Sequence, residues 1–414
     1  MYHSIQGVKV DAMLSTCKNF GMEDDYVTAD EASAILGVSR ATIYAYVSRK
    51  GIRSRPVPGT RQHRYRRVDI EQIKARAGQT AGSPNNVQIT SRITIIRDDE
   101  LLYRGKSAAE LSETATFEQV AARLWDVDET IFDRRPPRSP KLFLQLDKLL
   151  AAEAGVDRAL AHIPFLEQAN PRAYDLSPAG MAATGVDIVR WLTAIILNKG
   201  NASEEPIHLQ FERSLSLQPE QTDLLRRVLI LAADHGITES TYAVRMVAKT
   251  GVTPWRSVSV GLALAVGRQS KFGQNESLRR FIAEILSVQD SEAVVTRQLK
   301  EGQELPGFGS PIYPDGDPRA TALIAFCERA LHDHPGYRKL RRAIELAYEF
   351  RALRPNFAFV STFAEALTGL QSRREFVGLS SSEAPYLVGR SAGWVAHCME
   401  QVGNAGGQPA DAGD

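Results

Sequence analysis

The sequence predicts a mainly α protein: a large helical body entered through a short β-hairpin and preceded by a small helix-turn-helix module. Three observations carry that prediction. From Thr116 to about Gln401 apolar residues recur at helical spacing, as in "TDLLRRVLILAADHG", where Leu224, Leu225, Val228, Leu229 and Ala232 share a face. Before it, "VQITSRITIIRDDELLYRG" sets β-branched residues on both sides of an "RDDE" turn. Residues 26–76 combine two capped helix starts with a Pro/Gly hairpin.

The segments follow in order. Residues 1–25 show no periodicity and stay unassigned, and Met22 is a possible alternative start. Residues 26–76 form the module. "AGQTAGSPNN" (77–86) reads as a linker. The body spans 87–401, and the tail 402–414, "VGNAGGQPADAGD", reads as disordered. No internal repeat is present.

Composition narrows the classes. The chain has 414 residues, 43% hydrophobic and 24% charged, which suits one large core plus a small extra domain. No apolar run approaches the ~20 residues that span a bilayer, and no apolar leader opens the chain, so a cytoplasmic protein without a membrane partner is expected. Cys17, Cys327 and Cys398 are odd in number and widely spaced, which points to reduced thiols and to neither a disulfide frame nor a metal site. Residues 26–76 hold eleven Lys/Arg against four Asp/Glu; their +7, set against +1 for the whole chain, leaves −6 elsewhere. A basic module on an acidic body suggests that the module alone meets a polyanion.

Within the module, Thr28 and Glu31 make a capping box for a first helix, with Ala32, Ile35 and Leu36 facing inward. Gly37 fits the turn, Ser39 caps a second helix, and Ile43 and Val47 point back at the first. The outer face of the second helix then presents Arg40, Thr42, Tyr44, Tyr46, Arg49 and Lys50, and "RSRPVPGTRQHRYRRVDIEQIKAR" adds an arginine-rich hairpin and a short helix. A charged face is often only a solvated face, but turn spacing, hairpin and charge agree here on double-stranded DNA. The pattern resembles the winged helix-turn-helix of the MerR/excisionase type. That resemblance puts residues 39–50 in the major groove and Arg61, Arg64 and Arg66 on or near the wing.

In the body, "ELPGFGSPIYPDGDPRATAL" (304–323) is a loop of glycines (Gly307, Gly309, Gly316) and prolines (Pro306, Pro311, Pro314, Pro318) that lets backbone approach a ligand closely. Arg319 sits just past its turn, at the mouth of an apolar helical run, suited to clamp a carboxylate or phosphate. The loop has no histidine, cysteine or lysine. Upstream, "LAADHGITESTYAVRMVAKTGVTPWRSVSVGLALAVG" (231–267) runs a helix into Asp234-His235-Gly236, starts a second after Glu239-Ser240-Thr241, stops it at Gly251 and opens a third at Pro254. Taken alone, His235 at a helix C-terminus is most simply a dipole-satisfied surface residue.

Four stretches together resemble the citrate synthases: "ADHxxxxSTxxxR", "GFGxxxYPxGDPRA", "GRSAGWVAHCMEQ" (389–401) and the early "RITIIRDDELLYRGKSAAELSETATFEQVAARLW". The resemblance covers roughly residues 88–401. It implies an all-helical pair of large and small domains (the small one roughly 270–383), a dimer, and a Claisen condensation of acetyl-CoA with oxaloacetate. That reaction needs a carboxylate base and histidine donors, because a thioester α-proton is a weak acid. Carried over residue by residue, His235, Arg319 and Arg390 match oxaloacetate-binding positions, and Pro306, Gly307, Phe308 and Gly309 match the acyl-CoA loop. A further histidine place before "ADH" reads Ala232. The proton-transfer positions read Ser270, Ser310 and Ala358, and a late arginine has no match.

The resemblance therefore implies a family member whose catalytic residues are degenerate, joined to a DNA-binding module and acting as a regulator that senses a dicarboxylate or acyl-CoA. No other cofactor is implied. One alternative is an active citrate or 2-methylcitrate synthase using Lys271 or Glu276; another is a non-catalytic subunit. The chain is expected as a homodimer, or as a heterodimer with an intact citrate synthase-type chain.

Overall fold

A computed structural model describes residues 26–70 and 91–405, apart from short stretches of which the longest are 44–51, 266–274 and 369–383. The expected linker, Tyr44, Tyr46, Val47, Arg49, Lys50, Arg61, Ser270 and Lys271 lie outside the described residues, as do the side chain of Glu276 and the tail beyond residue 405. The chain divides into two compact units, residues 1–90 and 91–414.

The first unit is built on an antiparallel sheet in the order β1-β3-β2, from β1 (Tyr26–Val27), β2 (Ser54–Pro56) and β3 (His63–Arg66). Helix α1 (Ala29–Leu36) starts on the expected capping box: Thr28 Oγ1 accepts from Glu31 N at 3.2 Å, while Glu31 Oε2 accepts from Thr28 N at 2.8 Å. Gly37, at φ 65°, ends the helix where a left-handed residue is needed. Ser39 caps the next helix, its Oγ accepting from Thr42 N at 3.3 Å. Val27, Ala32, Ile43, Ile52, Tyr65 and Ile70 form the small core. Ile35 and Leu36 pack against it half-buried.

The second unit opens on the hairpin β4 (Thr94–Arg97) and β5 (Glu100–Tyr103), with β6 (Lys106–Ser107) on its edge. Then come α2 (Ala108–Thr114), α3 (Phe117–Trp125), α4 (Lys141–Leu149), α5 (Gly155–Ala169), α6 (Pro178–Ile196), α7 (Ile207–Leu215) and α8 (Pro219–Ala232). The rest is α9 (Glu239–Ala248), α10 (Pro254–Ala265), α11 (Asn275–Ser287), α12 (Ser291–Lys300), α13 (Pro318–Ala330), α14 (Pro335–Arg351), α15 (Phe357–Leu367) and α16 (Ala384–Ala405). The mainly α expectation holds.

Helix α16 is the hub, packed against α3, α6, α8, α9 and α10. Two glycines let α8 come close: a Cβ on Gly389 would press on the Leu229 carbonyl, and one on Gly393 on the Ala233 carbonyl. Trp394, the next residue, lies in a slot left by Gly261 on α10. Helices α11, α12, α14 and α15 pack among themselves, and α13 joins them through α15.

Three sequence expectations need correction. Helix α9 begins at Glu239, because Thr238 takes the cap and accepts from Thr241 N at 3.3 Å, leaving Ser240 and Thr241 inside the first turn. Helix α16 continues to Ala405, past the point where the tail was expected to begin. Finally, α6 is 19 residues long and apolar enough to cross a membrane, contrary to the reading that no such run exists. Its apolar window is 94% buried inside the fold, as in the core helix of a large domain.

Candidate functional site

A cavity of about 1190 Å³ opens where the end of α8, the 305–319 loop, the first turns of α13 and α15, and one face of α11 converge on α16. Its lining brings together His235, Ser310, Arg319, Ala358, Arg390 and the stretch Pro306–Gly309. These residues are up to 155 positions apart in sequence, so the gathering is a property of the fold.

The loop is pinned and not free. Gly309 N donates to Arg354 O at 2.8 Å, Asn356 N to Gly307 O at 2.8 Å, and Asn356 Nδ2 to Gly309 O at 3.2 Å. Gly307 sits at φ 79°, and a Cβ there would lie 2.7 Å from Phe359 and 2.9 Å from Leu278. Only glycine meets both conditions.

His235 is buried, not the surface residue that a lone helix-end histidine suggests. Its Nε2 lies 3.0 Å from the Tyr313 hydroxyl, with the rings edge to face. Burial pushes the Tyr313 phenol up to about 12, so it stays protonated near neutrality. Arg319 is buried with its guanidinium forked onto Asp317: Nε to Oδ1 at 3.0 Å and Nη2 to Oδ2 at 2.7 Å. Burial opposes its charge, but the Asp317 carboxylate more than restores it. The cation also rests on the Phe357 ring, 4.5 Å from its centroid.

Arg390 differs. It is fully buried, and among the described residues none of its three guanidinium nitrogens has a hydrogen-bond partner. Its nearest anion, Asp234 Oδ1, is 3.8 Å away, beyond hydrogen-bond reach. Asp234 is held elsewhere: its Oδ2 accepts from Thr94 Oγ1 at 2.6 Å and faces His397 Nε2 at 2.9 Å. Burial alone would raise the Asp234 pKa, yet His397 and Arg390 hold it well below the usual carboxylate range. For His397 burial opposes protonation, but Asp234 raises its pKa nonetheless. Arg245 and Glu400 extend this buried network, with Glu400 Oε1 accepting from Arg92 N at 2.9 Å.

At the positions matched to proton transfer, Ser310 Oγ accepts from Ile312 N and Tyr313 N at 3.3 Å each, so it shapes the loop. Ala358 lines the cavity in the first turn of α15 and carries no ionisable group. Ala232 is fully buried at the end of α8. Sequence reasoning missed Tyr313 and Asp317, although both lie inside the quoted "YPxGDPRA". It also missed His397, which stands in "GRSAGWVAHCMEQ".

In the module, Arg64 is exposed and Arg66 half-buried on β3. Thr42 is half-buried and Ser39 exposed at the start of the second helix. Arg40 is exposed, but its guanidinium pairs with Asp30 on α1. On the wing, Arg55 of β2 lies directly opposite Arg64 of β3.

Comparison with known proteins agrees with this fold. The family model "Citrate synthase, C-terminal domain" matches residues 166–408, and "Helix-turn-helix domain" matches 26–77. Citrate synthase 2 of Bacillus subtilis is 24% identical over 360 residues, covering 78% of this chain and 92% of that protein. A 2-methylcitrate synthase of Mycobacterium tuberculosis is 26% identical over 332 residues, 73% of this chain and 81% of its own. Among solved structures, citrate synthase from Pyrobaculum aerophilum superposes with a TM-score of 0.63 at 19% identity, over 78% of this chain and 91% of that one. Citrate synthase from Thermoplasma acidophilum, in a ternary complex with carboxymethyl coenzyme A and oxaloacetate, gives 0.60 at 18% identity, over 76% and 90%. Its fold and its family-model match together place the chain in the citrate synthase family, as a member that carries a helix-turn-helix domain ahead of the citrate synthase fold.

Proposed function

We propose that this chain is a catalytically degenerate citrate synthase relative that binds duplex DNA and senses a carboxylic acid or acyl-CoA in the cavity. One observation carries the reading. Beside the cations that suit an acid, Ser310 offers only a hydroxyl, whose oxygen accepts from two backbone N–H groups, and Ala358 has nothing to titrate. A Claisen condensation needs a base for the α-proton and a donor for the enolate oxygen. Alanine is no base, and a serine hydroxyl has no pKa near neutrality for proton transfer; each lost proton-transfer group costs ~10²–10⁴ in rate. The cavity then holds a ligand without turning it over, and the basic module reads out the bound state.

The organisation that goes with this reading is a DNA-binding domain at 26–76, a linker at 77–86, and a body whose smaller domain falls roughly at 270–383. A dimer, of two copies or with an intact citrate synthase-type chain, would present two recognition helices to a two-fold site.

The names of the relatives favour a second reading: an active citrate or 2-methylcitrate synthase that uses Lys271 or Glu276. A thiol-release assay with oxaloacetate and either acetyl-CoA or propionyl-CoA separates the two. The expected result is no turnover above background. Turnover within about tenfold of the ~10 s⁻¹ typical of enzymes would establish the second reading instead.

A further inference from the structure

We infer that residues 134–141, "RRPPRSPK", form a cationic rod on the body that grips the phosphate backbone of duplex DNA. The inference rests on the DNA binding proposed above and adds a contact outside the module, on a body that is net negative.

The segment is a polyproline II helix. Pro136 and Pro137 lock φ through their rings. At its two ends Arg134 has φ −75° and ψ 146°, and Pro140 has φ −61° and ψ 146°, the angles of that helix. Such a helix has three residues per turn and no internal hydrogen bonds. Both properties are present. Among the described residues, 135–139 make no backbone–backbone hydrogen bond, and exposure repeats at every third position. Arg135, Arg138 and Lys141 are exposed, while the other residues of the segment are half-buried.

Both ends are fixed in the core. Buried Arg190 on α6 donates to the carbonyls of Phe132 and Arg134, and Phe132 stacks on Trp125 with ring centroids 5.6 Å apart. At the far end Phe143 N donates to Pro140 O at 2.9 Å. The buried Phe143 ring then lies 4.2 Å from His162 and 4.8 Å from Trp191, centroid to centroid. The rod thus holds its shape before any partner arrives, which lowers the ordering cost of binding.

Its exposed ridge carries charge that the fold does not neutralise. Arg135 is 92% exposed and makes only a loose 3.9 Å contact with Glu204. Among the described residues Arg138 and Lys141 have no ion pair. Exposed arginines elsewhere on the body are paired, as Arg297 is with Glu284, Arg329 with Glu113 and Arg341 with Glu328. At ~3.1 Å per residue the three cations stand ~9 Å apart along ~19 Å. Duplex DNA carries one charge per ~1.7 Å of axis, so each cation meets a phosphate without any fixed register. An acidic protein surface would have to set its carboxylates at the rod's own spacing. Module and rod share one chain, so DNA bound by one has a raised effective concentration at the other.

Gel shifts of the full chain on a mixed-sequence duplex over a salt series test this, with Arg135→Gln/Arg138→Gln/Lys141→Gln beside the natural protein. The slope of log affinity against log salt should fall by about two to three, at ~0.9 per phosphate. Sequence preference should stay as it was, because phosphate contacts carry no sequence information. Melting temperature should match the natural protein, since all three side chains are exposed. Arg135→Lys/Arg138→Lys keeps the charge and should keep the slope. A triple variant with the natural slope would overturn the inference and leave the DNA function standing, whereas a full chain that retards no duplex would remove both. A slope lost equally in the lysine variant would also overturn it, because the loss would then reflect shape and not charge. Poly-L-glutamate is the competing probe. If it binds the natural chain but not the triple variant, while both keep the same DNA slope, the rod fits an acidic protein and the inference falls.

Discussion

At Gly393 the missing side chain is what lets α16 lie against the end of α8. A Cβ there would collide with the Ala233 carbonyl and come within 2.6 Å of Asp234 Oδ1. Gly393→Ala should therefore cost about 1–3 kcal/mol through overpacking, read as a lowered melting temperature. An unchanged melting temperature would show that the helices can separate freely. A second residue sets a pH dependence. His162 on α5 is fully buried, stacked on Phe143 at 4.2 Å, with Asp147 Oδ1 3.4 Å from its Nε2. Burial lowers its pKa below 6.5 despite Asp147. The unfolded chain then binds the proton more readily than the folded one, so this residue's stabilisation is complete above its unfolded value and is lost as pH falls through the folded one. Melting temperature should fall less between about pH 7 and 5 in His162→Phe than in the natural protein. Parallel curves would show that His162 does not titrate on unfolding. The resemblance to the citrate synthases grouped His235, Arg319 and Arg390 before any coordinates. It could not reveal that Arg319 is already occupied by Asp317 and Arg390 is not, because that difference lies in side-chain direction and desolvation.

Helix starts were the most legible elements, since a cap is a local chemical signal. Thr28 and Glu31 are three residues apart and form the box that their spacing implies, and Thr116 and Gln119 do the same for α3. Helix α9 was misjudged for a related reason. Thr238, Ser240 and Thr241 all offer a hydroxyl, and the sequence does not say which one the backbone turns toward. The length of α6 was misjudged because a helix apolar on every face reads alike whether lipid or protein surrounds it. Here the surroundings include α5, α7 and α16. The cap itself is testable. Thr28→Ala removes the acceptor for Glu31 N and should cost ~0.5–2 kcal/mol in the small module. Amide exchange over residues 29–36 should speed up while exchange in α16 stays unchanged. Equal acceleration in both would contradict the division into two units.

Over the whole molecule, charge is partitioned more sharply than hydrophobicity. The +7 of residues 26–76 against −6 for the rest is the charge asymmetry on which the proposed DNA contact rests. Its wing adds a structural reason. Arg55 and Arg64 are cross-strand partners, both exposed. Like charges directly opposite one another on a sheet are destabilising unless an anion lies between them. A phosphate backbone is such an anion. Arg40 is a different case, since its pairing with Asp30 leaves it less available to a base edge. Gel shifts of the full chain on duplex DNA should therefore show affinity falling steeply with salt, as neutralised phosphates release their counterions. Arg64→Ala should weaken binding to all sequences and reduce the slope of log affinity against log salt by about one. Arg40→Ala should change that slope less, because its charge is already balanced by Asp30. A full chain that retards no duplex at low salt would remove DNA from the proposed function. A slope that Arg64→Ala leaves unchanged would move the phosphate contact off the wing and onto the recognition helix.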